Sequence, residues 1–194
     1  MAERGKTGVD TPLFAWGEAL RAARARRTTL RFRAAWLGVG IALVGATIAM
    51  PLRTRLVWNA SASAPLGLYG ITYNSTIRRG STVLARLPAD MRALAAARRY
   101  LPSNVPLIKS VAAVAGDEVC ALRTTIYING EPVVTRRASD FAGRMLPWWE
   151  GCHRLRDGEL FLLMRSSAAS FDGRYFGVTV RAEIIGKAHL IWGR

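Results

Sequence analysis

Between Ala34 and Leu52 the chain runs for nineteen residues, AAWLGVGIALVGATIAMPL, without a charge. A helix of that length, at ~1.5 Å per residue, spans most of the ~30 Å hydrocarbon layer of a bilayer, so the segment predicts a transmembrane helix. A cleaved secretory signal is the competing reading. The segment starts late and is longer than the apolar part of such a peptide, which favours a retained anchor. Three regions follow: a basic segment over 1–33, an anchor over 34–52 and a domain over 53–194. Arg21, Arg24, Arg26, Arg27, Arg31 and Arg33 crowd the amino-terminal side of the anchor, and only Arg53 and Arg55 closely follow it. By the positive-inside rule the N-terminus is cytoplasmic and the domain lies across the membrane, which in a bacterium is the periplasm.

The net charge of +15 is spread along the chain. The first 33 residues hold 8 basic and 3 acidic residues and the remainder 20 and 10, with no helix-turn-helix, zinc-finger or base-stacking pattern. Attraction to anionic lipid accounts for the basic tail, within which 11–27 has the composition of an amphipathic surface helix. No nucleic-acid partner is expected. Cys120 and Cys152 both fall beyond the anchor, where an oxidising compartment makes a disulfide the simplest reading; two separate buried thiols are the alternative. Neither cysteine has a CxxC partner, and no metal or cofactor is expected.

The region after the anchor reads as mostly β. Short strands are predicted at 69–73, 82–86, 107–113, 118–122, 159–165 and 178–182, with a terminal one at 183–192. Asn129-Gly130 suits the two positive-φ positions of a type I′ turn and predicts a hairpin over 125–134. One short helix is expected over 88–100, ended by Pro102.

The candidate chemistry starts from Lys109, because only Lys6, Lys109 and Lys187 are lysines among 28 basic residues. Arginine stays protonated and cannot act as a general base, whereas a lysine buried in an apolar stretch such as 105–114 has its charged form penalised. An edge-strand lysine whose head snorkels to water is the bland alternative. For a nucleophile the chain offers Asn59-Ala-Ser61-Ala-Ser63-Ala-Pro65-Leu-Gly67-Leu-Tyr69. Small residues leave a serine hydroxyl accessible there, and Pro65 with Gly67 fixes a turn that can bring a substrate carbonyl close to backbone amides. Taken alone, such stretches are usually ordinary loops. His153 and His189 raise a Ser-His-Asp site, but no nucleophile-elbow pattern accompanies them.

Three segments in this order resemble the signal peptidase I superfamily: the Ser63/Pro65 segment soon after a membrane helix, Lys109-Ser-Val-Ala-Ala-Val-Ala-Gly-Asp117, and Ser170-Phe-Asp-Gly-Arg-Tyr-Phe-Gly177. The Asn-x-(Ser/Thr)-x-Ser-x-Pro-x-Gly-x-Tyr form, met by Asn59, Ser61, Ser63, Pro65, Gly67 and Tyr69, is similar to its TraF-type conjugative-transfer branch. The resemblance covers about residues 36–190. It implies a signal-peptidase-like β catalytic domain in which Ser63 is the nucleophile, Lys109 its general base and Asp172 the acidic residue of the third segment. Asp172 either orients the lysine or holds its own loop through Arg174. Ser61, Pro65 and Gly67 would shape substrate binding, and Asp117 a supporting turn; Ser61, two residues from Ser63 and pointing the same way if the segment is an extended strand, is either a hydroxyl lining the site or the nucleophile itself. Two departures stand out. Ala115 replaces the proline common before Gly-Asp, and Gly173 replaces a serine before Arg174, which removes a hydroxyl expected to support the lysine.

The implied function is a membrane-anchored serine endopeptidase that processes a pilin precursor or another secreted protein at its leader or propeptide, with contact to conjugative secretion machinery. Peptide cyclisation is a second outcome the resemblance admits. A general type I signal peptidase is the nearest rival, and an inactive pilus-assembly scaffold is the rival of a different class.

Overall fold

The computed structural model describes residues 12–49 and 54–193 and divides into two compact units, 1–53 and 54–194. Lys6, Thr11, Arg53 and the last three residues of the predicted anchor, 50–52, lie outside the described residues.

Among the described residues the first unit is a single helix, α1 (Pro12–Ala49). A separate surface helix over 11–27 is not formed, since one unbroken helix runs through both the basic segment and the anchor. Nothing interrupts it: residues 18–37 contain neither glycine nor proline, and the hydroxyls of Thr28 and Thr29 donate to the carbonyls of Arg24 (2.7 Å) and Ala25 (2.9 Å) one turn back. Its span from Trp16 to Ile48 is long and apolar enough to cross a membrane. Trp36, Leu37, Ile41 and Ile48 are exposed.

The second unit is built from eleven strands, β1 (Leu56–Asn59), β2 (Gly67–Thr72), β3 (Thr82–Ala85), β4 (Leu107–Ala113), β5 (Glu118–Leu122), β6 (Thr125–Ile128), β7 (Glu131–Thr135), β8 (Gly151–Arg154), β9 (Glu159–Leu162), β10 (Thr179–Val180) and β11 (Ile184–Gly193). Two short helices, α2 (Ala89–Ala97) and α3 (Gly173–Phe176), join them. The larger sheet has the order β1-β2-β11-β3-β4-β9-β10, the smaller β7-β6-β5-β8, and every pairing is antiparallel. Asn129 (φ 52°) and Gly130 (φ 83°) make the tight hairpin predicted between β6 and β7.

Both faces of β4 are covered. Leu107 and Val111 join a core with Val83, Leu87 and Leu162, Ile108 joins one with Tyr69 and Leu84, and Ala113 joins one with Val119 and Phe161. A strand buried on both sides has no edge over which a lysine head can reach water.

The differences from the sequence reading have local causes. Strand β9 ends at Leu162 rather than 165, because the amide of Met164 turns to the Asp172 carboxylate (3.0 Å). The predicted strand over 178–182 keeps only Thr179–Val180 and passes into a 3-10 turn at Arg181–Glu183. Helix α2 stops at Ala97, ahead of Pro102, with Arg99 turned to φ 58°.

Candidate active site

Asn59 ends β1 and organises the loop after it. Its side-chain amide donates to the carbonyls of Ser61 (3.0 Å), Ala64 (3.1 Å) and Pro65 (3.0 Å), while its Oδ1 accepts from the Ser61 amide (3.1 Å). The Tyr69 hydroxyl donates to the Pro65 carbonyl (2.9 Å) from the other side. Ser61 and Ser63 therefore lie on a tethered turn rather than an extended strand, with their hydroxyl oxygens 3.0 Å apart.

Lys109 projects from β4 toward this turn. Its Nζ lies 2.9 Å from Ser63 Oγ and 2.7 Å from Ser170 Oγ. The side chain is 3% exposed, and this burial lowers the amine's pKa from 10.5 to about 8; the Asp172 carboxylate opposes the shift and the Arg174 guanidinium reinforces it. Snorkelling is excluded by the same burial.

Asp172 and Arg174 form a fully buried pair (Nε to Oδ1, 2.8 Å). Asp172 also accepts from the amides of Met164 (3.0 Å) and Arg174 (3.2 Å), and Arg174 donates to the carbonyls of Met164 (2.8 Å) and Ala168 (3.3 Å). The pair ties both ends of the 164–174 loop together, with Ser170 between them. The expectation that Gly173 costs the lysine a hydroxyl is corrected here: Ser170 supplies one. A side chain at 173 has no room, because a Cβ there would sit 2.7 Å from the Leu162 carbonyl oxygen and 2.8 Å from the Phe161 ring. Sequence reasoning missed Ser170, although it opens the third segment, because the hydroxyl-to-amine contact exists only once β4 and that loop are packed together.

Ser63 and Lys109 open into a cleft of about 650 Å³, lined also by Ser61 and Ser170 along with apolar residues such as Leu101 and Phe171. Pro65 and Gly67 do not line it. Gly67 (φ 152°) sits where β2 meets the end of β11, and a Cβ there would fall 2.1 Å from the Trp192 carbonyl oxygen. Asp117 lies outside the cluster. It pairs with Arg79 and accepts from Asn129 Nδ2 (3.0 Å) and the Val114 amide (2.9 Å), fastening the turn after β4 to the hairpin. His153 pairs with Glu159 (2.8 Å), and neither His153 nor His189 lines the cleft. Cys120 and Cys152 are disulfide-bonded directly across β5 and β8.

The family model described as signal peptidase, peptidase S26, matches residues 29–193. A conjugal transfer protein TraF of Agrobacterium fabrum is 34% identical over 178 residues, covering 86% of this chain and 97% of its own length. A plasmid transfer protein TraF of Escherichia coli is 32% identical over 137 residues, covering 65% of this chain and 76% of its own. A solved signal peptidase I from Enterococcus faecalis V583 aligns at 16% identity with a TM-score of 0.35, over 58% of this chain and 97% of that one. With a family match across nearly all of the chain that follows the basic tail, and a relative one-third identical along almost its whole length, this chain belongs to the signal peptidase family, peptidase S26, among its TraF-like members.

Proposed function

We propose that this chain is a membrane-anchored serine endopeptidase of conjugative transfer that uses Ser63 as nucleophile and Lys109 as general base. The substrate is a pilin precursor or another exported protein of that process. One observation carries the reading: a serine hydroxyl 2.9 Å from a buried amine whose pKa is lowered to about 8. At pH 7 an amine of pKa about 8 is neutral in about a tenth of the molecules, whereas an unperturbed lysine is neutral in well under a thousandth.

Neutral Lys109 takes the Ser63 proton as the oxygen attacks the scissile carbonyl, forming a tetrahedral oxyanion. The resulting ammonium returns that proton to the departing amine as the C–N bond breaks, leaving an ester on Ser63. Water attack on the ester completes hydrolysis; attack by an amine of the substrate closes a ring. Both outcomes pass through the same acyl-enzyme. The Ser63 amide, which donates to Ser61 Oγ (3.4 Å) in this structure, is the donor available to the oxyanion, and the Ser61 hydroxyl stands 3.0 Å from Ser63 Oγ.

Ser170 acts as a positioning residue for the lysine, and Asp172 with Arg174 fixes the loop that carries it. Pro65 and Gly67 shape the serine turn and Asp117 braces the sheet behind it. The helix holds the enzyme in the bacterial inner membrane with its N-terminus cytoplasmic, so that substrate and site share one surface. The names of the TraF relatives support conjugative transfer over housekeeping leader removal.

The test is processing of a pilin precursor by single variants. Ser63→Ala and Lys109→Arg are each expected to lower turnover by at least about a thousandfold, and Ser61→Ala to retain measurable cleavage. Full activity in Ser63→Ala, or processing retained in Lys109→Arg, overturns the assignment.

A further inference from the structure

One cation in the cleft is left unused by this chemistry. Arg137 lines the same cavity as Ser63 and Lys109. Its backbone amide donates to the Tyr175 hydroxyl (3.1 Å), and the Tyr175 ring stacks on Phe171 with centroids 5.8 Å apart and planes 9° from parallel. Its guanidinium lies 5.0 Å from the centroid of the Phe141 ring, and Phe141 is itself a lining residue.

Among the described residues no carboxylate lies within ion-pair distance of Arg137. The nearby acids are already engaged. Asp140 accepts from Tyr100 (2.5 Å), Arg144 Nε (2.7 Å) and the Ala142 amide (2.9 Å), which hold its carboxyl well below the usual range. Glu150 accepts from Trp148 (2.7 Å) and Arg136 (3.1 Å). The adjacent Arg136 is a contrast, since it is 3% exposed and gives its donors to the carbonyls of Arg123 and Trp149 as well as Glu150. Two consecutive arginines thus have different roles: one clasps the fold, and the other stands in the cleft with its charge unanswered. Stacking against a ring covers a face of the guanidinium and leaves its N–H edge available to a planar acceptor.

We propose that Arg137, backed by Phe141, selects a substrate polypeptide carrying an acidic side chain, whose carboxylate it binds through paired N–H donors. Arg137 and Phe141 are both exposed, so the selectivity comes from the planar, two-donor geometry of the guanidinium rather than from a dry surrounding. The inference rests on the cleft being the substrate site.

Its test is binding rather than turnover. Full-length chain carrying Ser63→Ala, in detergent micelles, is titrated with Ala/Gly decapeptides in which one Glu is walked along the sequence, and with the matched Gln set. At one position Glu is expected to bind roughly tenfold tighter than Gln. Arg137→Gln is expected to abolish the difference, and Arg137→Glu to favour Lys at that position instead. Equal binding of every Glu/Gln pair, or discrimination that survives Arg137→Gln, overturns the proposal. Discrimination in Ser63→Ala combined with no precursor cleavage by the unsubstituted chain would contradict the Ser63–Lys109 reading alone, and cleavage by the unsubstituted chain without discrimination in Ser63→Ala would contradict this inference alone.

Discussion

Ser170 holds the Lys109 amine at 2.7 Å, opposite the 2.9 Å contact to Ser63, so the lysine is positioned between two hydroxyls. A neutral amine has one lone pair and must aim it at the serine proton; the Ser170 contact restricts the rotation that would waste it. Ser170→Ala is expected to lower kcat by about 10- to 100-fold with KM nearly unchanged, and Ser170→Thr to recover part of the loss. Unaltered kcat on the same precursor would remove Ser170 from the mechanism. Lys109 itself was legible in the sequence because its chemistry is rare in an arginine-rich chain with apolar neighbours. Ser170 was not, since a serine in a polar loop looks the same whether or not a lysine 61 positions away reaches it. The loop-holding amide of Asn59 was legible only as a member of a pattern, without its three carbonyl partners.

Strands with a strong local signal were readable to within a residue: β4 and β5 from apolar runs, and the β6–β7 turn from Asn129-Gly130. β1 and β8 were not. Each is four residues long, and β8 is largely exposed, so neither carries an alternation that separates a strand from a loop. β8 is instead fixed by its partners, above all by the cross-strand Cys120–Cys152 bond spanning 32 positions. Chain-entropy scaling for such a loop gives roughly 3–4 kcal/mol, so replacing both cysteines by alanine is expected to lower unfolding free energy by that order in a urea titration. Equal stability of the double variant and the oxidised chain would show that β8 is held by its ladder alone. The segment 136–150 leads into β8 and brings Arg137, Asp140 and Phe141 to the lining of the cleft, which links this small sheet to the candidate site.

The whole chain joins a helix long and apolar enough to cross a membrane to a domain whose candidate site is assembled from three distant segments. Helix α1, at 38 residues, is far longer than a bilayer needs, so on the proposed membrane reading the basic stretch preceding the apolar one continues the same helix beyond the hydrocarbon layer. With both native cysteines paired, a cysteine introduced at Thr76 is expected to react with a membrane-impermeant maleimide in intact spheroplasts, and one at Thr7 only after lysis. The reverse pattern would invert the orientation. At this scale the sequence held the order of the three segments but not their meeting, because residues 63, 109 and 170 converge only through the pairing of β2, β11, β3, β4 and β9 in one sheet. The most direct test of that convergence is the rate at which an activated peptide ester acylates the full-length chain, measured against pH, with the modified residue located by mass spectrometry. The reactive form is the neutral amine and its pKa is depressed to about 8, so the rate is expected to be low at pH 6, rise tenfold per pH unit and level off above about 8, with the adduct on Ser63. A rate insensitive to pH between 6 and 9, or an adduct elsewhere than Ser63, would contradict the account.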